Sequence, residues 1–136
     1  MTHAPVHTPH DLYQRWQDLM GPLGFGGWSL WLGFLDEDGL MNTALTQIED
    51  IPTRVDPAMC QPLLEMCRHI LGEEPGGRSV ALLLTRPGSN PMNDDDRSWA
   101  RGLTTAADHL GVSMRPLHFA NDEELLVFAP DDLVSG

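Results

Sequence analysis

The chain contains no lysine: all eight basic residues are arginine, set against twenty Asp and Glu for a net charge of −12. Binding to DNA, RNA or an anionic membrane draws on cationic side chains that neutralise phosphates, and here acids outnumber bases in nearly every segment. The charge argues against all three partners. A basic protein partner, or simple solubility, fits it better. Cysteine is scarce too. Cys60 and Cys67, the only two, fall in one helical segment that separates them by roughly 10 Å along its axis, too far for a disulfide. Free thiols suit a reducing compartment, so the cytoplasm is the expected location. No apolar run approaches the ~18 residues of a membrane span, and residues 1–10 lack the basic start and apolar stretch of a signal peptide.

What is present is ordinary for a globular domain: 136 residues, 41% hydrophobic and 21% charged. That length supports one core without disulfides or a structural metal. Residues 1–8 are polar and read as a loose tail, leaving 9–136 as a single domain. A first helix is expected over 9–20, where Leu12, Trp16, Leu19 and Met20 recur at helical spacing. Residues 28–35 are apolar on both faces, the pattern of a central strand. Asp36-Glu-Asp-Gly39 reads as a hairpin turn, and a second strand is expected over about 40–48. A helix follows to about Leu71, starting near Pro57 or Pro62, since Pro62 would disrupt a helix interior.

The most informative stretch is 82–101. An apolar run over 79–85 predicts a strand buried on both faces. It ends in a Pro/Gly turn and leads into a helix capped by Asn93, with Asp94, Asp95 and Asp96 at the positive end of the dipole. Trp99, Leu103, Ala106 and Leu110 make its buried stripe, and Gly111 stops it. Strands over about 114–120 and 124–129, joined at Asn121-Asp122, complete an α/β (α+β) fold with one mixed sheet of about five strands.

This element order resembles the JAB/MPN superfamily, most closely its RadC-like branch. The gapless counterpart of that family's strand-turn-helix is Leu84-Thr-Arg-Pro87, then Gly88-Ser-Asn-Pro91, then Asp94-Asp-Asp-Arg97. The helix runs on as Leu103-Thr-Thr-Ala-Ala-Asp-His-Leu-Gly-Val112, and Arg115-Pro-Leu-His118 follows. The resemblance spans roughly residues 28–129. It implies a three-layer arrangement of the cytidine-deaminase type. In active members two histidines and an aspartate hold a zinc whose bound water attacks an amide. The matching positions here are Leu84, Arg86 and Arg97, and an arginine cannot ligate zinc. The resemblance therefore implies a degenerate member without metal or other cofactor, acting as a non-catalytic protein-interaction or scaffold domain that can self-associate.

Two other functions stay open at this point. One is a hydrolase with a non-standard site drawn from His109, His118 and Asp96. The other is a small-anion or nucleotide sensor in which Arg86 and the helix start at Asn93 form an anion pocket; pairing of Arg86 with Asp94–Asp96 or Asp122 competes with it. Arg97 and Arg101, one turn apart, are candidates for docking an acidic partner, against pairing with nearby acids. Trp31 and Leu35 are interface candidates if their side of the hairpin is left bare. The histidines at 3, 7 and 10 read as incidental. Cys60, Cys67 and His69 do not converge as metal ligands on one helix. Asp36-x-Asp38-Gly39 lacks the later glycine and glutamate of a calcium loop.

Overall fold

The apolar run at 79–85 forms the middle strand of a five-stranded mixed sheet in the computed structural model, which describes residues 6, 8–20, 26–41, 45–72, 78–89 and 91–128. The strands are β1 (Ser29–Leu35), β2 (Thr46–Glu49), β3 (Ser79–Thr85), β4 (His118–Ala120) and β5 (Leu125–Val127), in the spatial order β2-β1-β3-β4-β5. Only the β3–β4 pair is parallel, as a helical crossover between them requires. Every residue of β3 is buried, and β1 lies between β2 and β3, so both two-faced apolar patterns mark interior strands.

Three helices cover the sheet. On one face α2 (Pro57–Leu71) and α3 (Asp94–Leu110) bury the even-numbered side chains Leu30, Leu32, Val80, Leu82 and Leu84 beneath Leu64, Cys67, Trp99 and Leu103. On the other, α1 (Pro9–Met20) places Leu12 and Trp16 over Leu35, Ala81, Leu83 and Ala120. The described residues thus form an α+β fold with one mixed sheet and three helices. Among the described residues no helix is long and apolar enough to cross a membrane.

The anticipated caps form. Asn93 Oδ1 accepts the Asp96 amide at 3.0 Å while Asp96 Oδ2 accepts the Asn93 amide at 2.9 Å, a reciprocal capping box. Gly111 ends α3 in the left-handed region at φ 70°.

Four details depart from expectation. Of the strand expected over 40–48, Thr46–Glu49 is strand and residues 42–44 lie outside the described residues, while Asp36 Oδ1 holds the Asp38 and Leu40 amides in the turn. Met41, joined to β1 by one isolated bridge, folds its side chain over Gly33. The strand expected over 114–120 shortens to His118–Ala120, since Pro116 has no N–H to continue the ladder after Arg115 donates to Val80. Helix α2 starts at Pro57 and carries Pro62 inside it; the lost bond lies near the helix start, where buried Cys60, Leu63 and Leu64 anchor the segment. Finally, Val6 in the expected tail is buried and its amide donates to Gly39 O at 2.8 Å. Residues 1–5 and 7, with His3 and His7, lie outside the described residues, as does Ala129.

Both thiols are free and buried. Burial pushes each up to about 11, with the Asp56 charge adding to the effect at Cys60, so at neutral pH they behave as small apolar groups.

Candidate functional site

The end of β3 is where the sheet changes from antiparallel to parallel pairing, the place where many α/β sheets bind ligands. Here that position is filled from within. Arg86, the first residue beyond β3, is 5% exposed. Its Nε donates to Asp96 Oδ1 at 2.7 Å and its Nη2 to Asp96 Oδ2 at 2.9 Å, a two-pronged pair with a fully buried carboxylate. Nη1 donates to Pro87 O at 3.0 Å, and Nη2 also reaches Ser89 O and Pro91 O, each at 3.4 Å. The guanidinium carbon lies 5.1 Å from the Phe119 ring centroid and 6.0 Å from that of Trp28. Buried charge is tolerable only when paired and saturated with hydrogen bonds, and both conditions are met.

Two of the four nearby acids divide the work. Asp96 takes the guanidinium, and Asp122, on the β4–β5 turn, accepts the Gly88 amide at 2.8 Å while its own amide donates to Gly88 O at 3.0 Å. Gly88 has φ 100°, and a Cβ there would lie 3.0 Å from Arg86 Nη1, so both backbone conformation and space call for glycine. The loop is therefore laced to β4–β5 on one side and to α3 on the other. This arrangement directs the cation's donors inward, toward protein acceptors, instead of toward an incoming anion.

The three positions that match zinc ligands in the resembled family do not fit a metal. Leu84 is fully buried in the core, Arg86 is committed to Asp96, and Arg97 Nη1 lies 3.6 Å from Asp94 Oδ1 at the surface. Among the described residues no three His, Cys, Asp or Glu side chains are grouped to hold an ion. Arg101 is partly buried, with Nη2 donating to Ser98 Oγ at 3.4 Å.

The acid–base trio does not assemble. Asp96 sits beneath the turn on the α3 side. His118, through strand alternation, points to the opposite face, where its ring centroid is 6.3 Å from that of Tyr13 on α1. His109 is exposed near the far end of α3.

Trp31 and Leu35 lie on the face that α1 covers. Leu35 is 2% exposed, and Trp31 is half-buried with its Nε1 donating to Thr85 Oγ1 at 3.1 Å. Leu35 is covered while Trp31 stays half-exposed, so the two do not share one bare patch. The exposed large apolar residues among those described are Leu40 after β1, Met66 and Ile70, four residues apart on α2, Leu19 on α1 and Val127 on β5. Leu40 and Ile70 line one shallow cleft with Phe34, Met41 and Arg78.

His118 carries a testable consequence. Its Nδ1 is 2.9 Å from Pro116 O, and its buried Nε2 has no partner among the described residues. Burial lowers its pKa below the ordinary value of 6.5, with the Pro116 carbonyl opposing. The unfolded chain then binds more protons than the folded one below that value, so stability falls as pH drops through 6.5 toward the folded-state pKa. The slope contributed by this one group is at most about 1.4 kcal/mol per pH unit. Urea titrations between neutral and mildly acid pH should show the decline, and His118→Asn should remove it. An unchanged slope in the variant would assign the decline to other groups.

Neither a scan of protein-family models nor a search of curated proteins finds a match to this chain.

Proposed function

We propose that this chain is a non-catalytic, JAB/MPN-like domain that works by holding a protein partner, and that one such partner is a second copy of itself. The observation carrying the reading is the Arg86–Asp96 pair. Where the resembled family would use the end of this strand and the start of this helix for a zinc-bound water, a permanent cation and its carboxylate lock the loop. The hairpin, the strand-turn-helix and the parallel β3–β4 connection support the same reading.

The contact between copies falls on α2. Its outer side offers Met66 and Ile70, 41% and 50% exposed, beside Leu40 at 38%. Glu65, Arg68 and His69 border the same helix surface. In a chain of net charge −12, a stretch carrying both signs is where two copies can meet without net repulsion, acid facing base across a two-fold axis.

Sedimentation analysis and metal analysis on one purified sample test both parts. A concentration-dependent dimer that Met66→Glu/Ile70→Glu reduces to monomer is expected, with zinc far below one per chain after dialysis. Zinc at one per chain would overturn the non-catalytic reading. A monomer at every concentration would overturn self-association.

A further inference from the structure

A second concavity lies on the α1 face at the same end of the sheet, on the opposite side from the Arg86–Asp96 pair. Its volume is about 460 Å³, within the range of small-molecule sites. Strand register builds its floor. Thr85, Ser29 and Glu49 are aligned across β3, β1 and β2, and Trp31 and Gln47 are paired in the neighbouring row. Covered sheet faces are ordinarily apolar, yet this end buries two hydroxyls, Ser29 and Thr85, beside the exposed amide of Gln47 and carboxylate of Glu49 on the edge strand.

The polar groups are ordered. Trp31 Nε1 donates to Thr85 Oγ1 at 3.1 Å, which fixes the indole at the wall, and Gln47 Nε2 donates to Ser29 Oγ at 3.4 Å. Ser29 and Thr85 are both more than nine-tenths buried.

The electrostatics have one sign. Glu49 and Asp50 line the concavity, and its described lining contains no Arg or His. Neither carboxylate has an ion pair or side-chain hydrogen bond among the described residues. Asp50 adopts φ 55°, and Gly27 leaves its carboxylate uncovered: even a Cβ there would lie 3.5 Å from Oδ1. The last turn of α1, which contributes Leu19 and Met20 to the wall, has no basic side chain. It brings the negative end of a helix dipole to the same place. Two carboxylates, a helix C-terminus and an aromatic side chain thus border one concavity, an arrangement whose negative potential favours a cation.

We infer that this concavity binds a small organic cation, an amine or guanidinium on a short apolar body, with the charge at Glu49 and Asp50 and the body against Trp31, Leu19 and Met20. A divalent metal fits poorly, because such ions take six or more oxygen ligands and no group of three candidate ligand side chains exists among the described residues. The concavity and the α2 surface lie on different faces, so neither depends on the other.

Calorimetric titration of the full chain with benzylamine, agmatine, neutral benzyl alcohol and calcium chloride tests it. Saturable one-to-one binding of an amine that quenches or shifts tryptophan emission is expected, with no response to benzyl alcohol. Glu49→Gln/Asp50→Asn should weaken amine binding at least about tenfold, the loss of one or more charge-assisted hydrogen bonds. Both side chains are exposed, and asparagine tolerates the left-handed backbone at position 50, so an unchanged melting curve should accompany the loss. Absence of saturable binding by either amine, equal affinity in the double variant, or stoichiometric calcium binding that displaces the amine would each overturn the proposal.

Discussion

Arg86→Met is expected to destabilise the fold by about 3–5 kcal/mol, the range for removing one partner of a buried ion pair. The substitution keeps most of the apolar stem against Phe119 and Trp28 but strands the Asp96 carboxylate, which is fully buried. Chemical denaturation at neutral pH reads the loss as a lower midpoint with an unchanged slope. A second variant separates stranded charge from lost packing. In Arg86→Met/Asp96→Asn no charge remains, and the introduced side-chain amide oxygen can still accept the Asn93 N–H that Asp96 Oδ2 accepts now. That double variant should recover about half of the loss if uncompensated charge dominates. A double variant no more stable than Arg86→Met would show that the guanidinium matters through its packing and carbonyl contacts.

Trp99→Ala should cost a comparable about 3–5 kcal/mol, through a cavity between α3 and the sheet. The Trp99 side chain is fully buried, and its Nε1 donates to Pro52 O at 3.0 Å, tying α3 to the segment that precedes α2. Trp99→Phe retains much of the ring volume and gives up that hydrogen bond, so a smaller loss of about 1–2 kcal/mol is expected. Against a total of about 5–15 kcal/mol for a domain, the alanine variant approaches the limit of folding. Thermal unfolding followed by near-ultraviolet circular dichroism gives the order directly. Equal losses in the two variants would place the energy in the Pro52 link instead of the core.

The elements read best from sequence are those in which one local rule suffices. Continuous apolar runs at 28–35 and 79–85 made interior strands because side chains on both faces needed cover. Asn93 and Gly111 fixed α3 because capping is a matter of a few neighbouring residues. The boundaries that moved depend on something beyond the local pattern, Met41 folding onto Gly33 and Pro116 breaking a ladder with a distant strand, and the choice of Pro57 over Pro62 as the start of α2, left open by the sequence, was settled by packing. The acidic concavity had a faint signal in the alternation of Thr46-Gln-Ile-Glu49. That alternation reads equally well as an exposed edge strand, and only the register with β1 and β3 puts Glu49 beside Ser29 and Thr85.

By itself the sequence determined which residues become strands and capped helices, and that no lysine-rich surface exists. Composition, periodicity and short-range spacing are sufficient for each of these. Which acid Arg86 pairs with was decided by tertiary structure, because Asp94, Asp95, Asp96 and Asp122 are all close in sequence or across one turn. Only the third helical residue turns inward beneath the loop, while Asp122 reaches the Gly88 amide from β4–β5. Tertiary structure also sent His118 and Asp96 to opposite faces and closed α1 over Leu35. Strand alternation fixes side-chain direction only relative to neighbouring residues. Which face receives which helix is settled when the sheet is assembled and its apolar rows are covered.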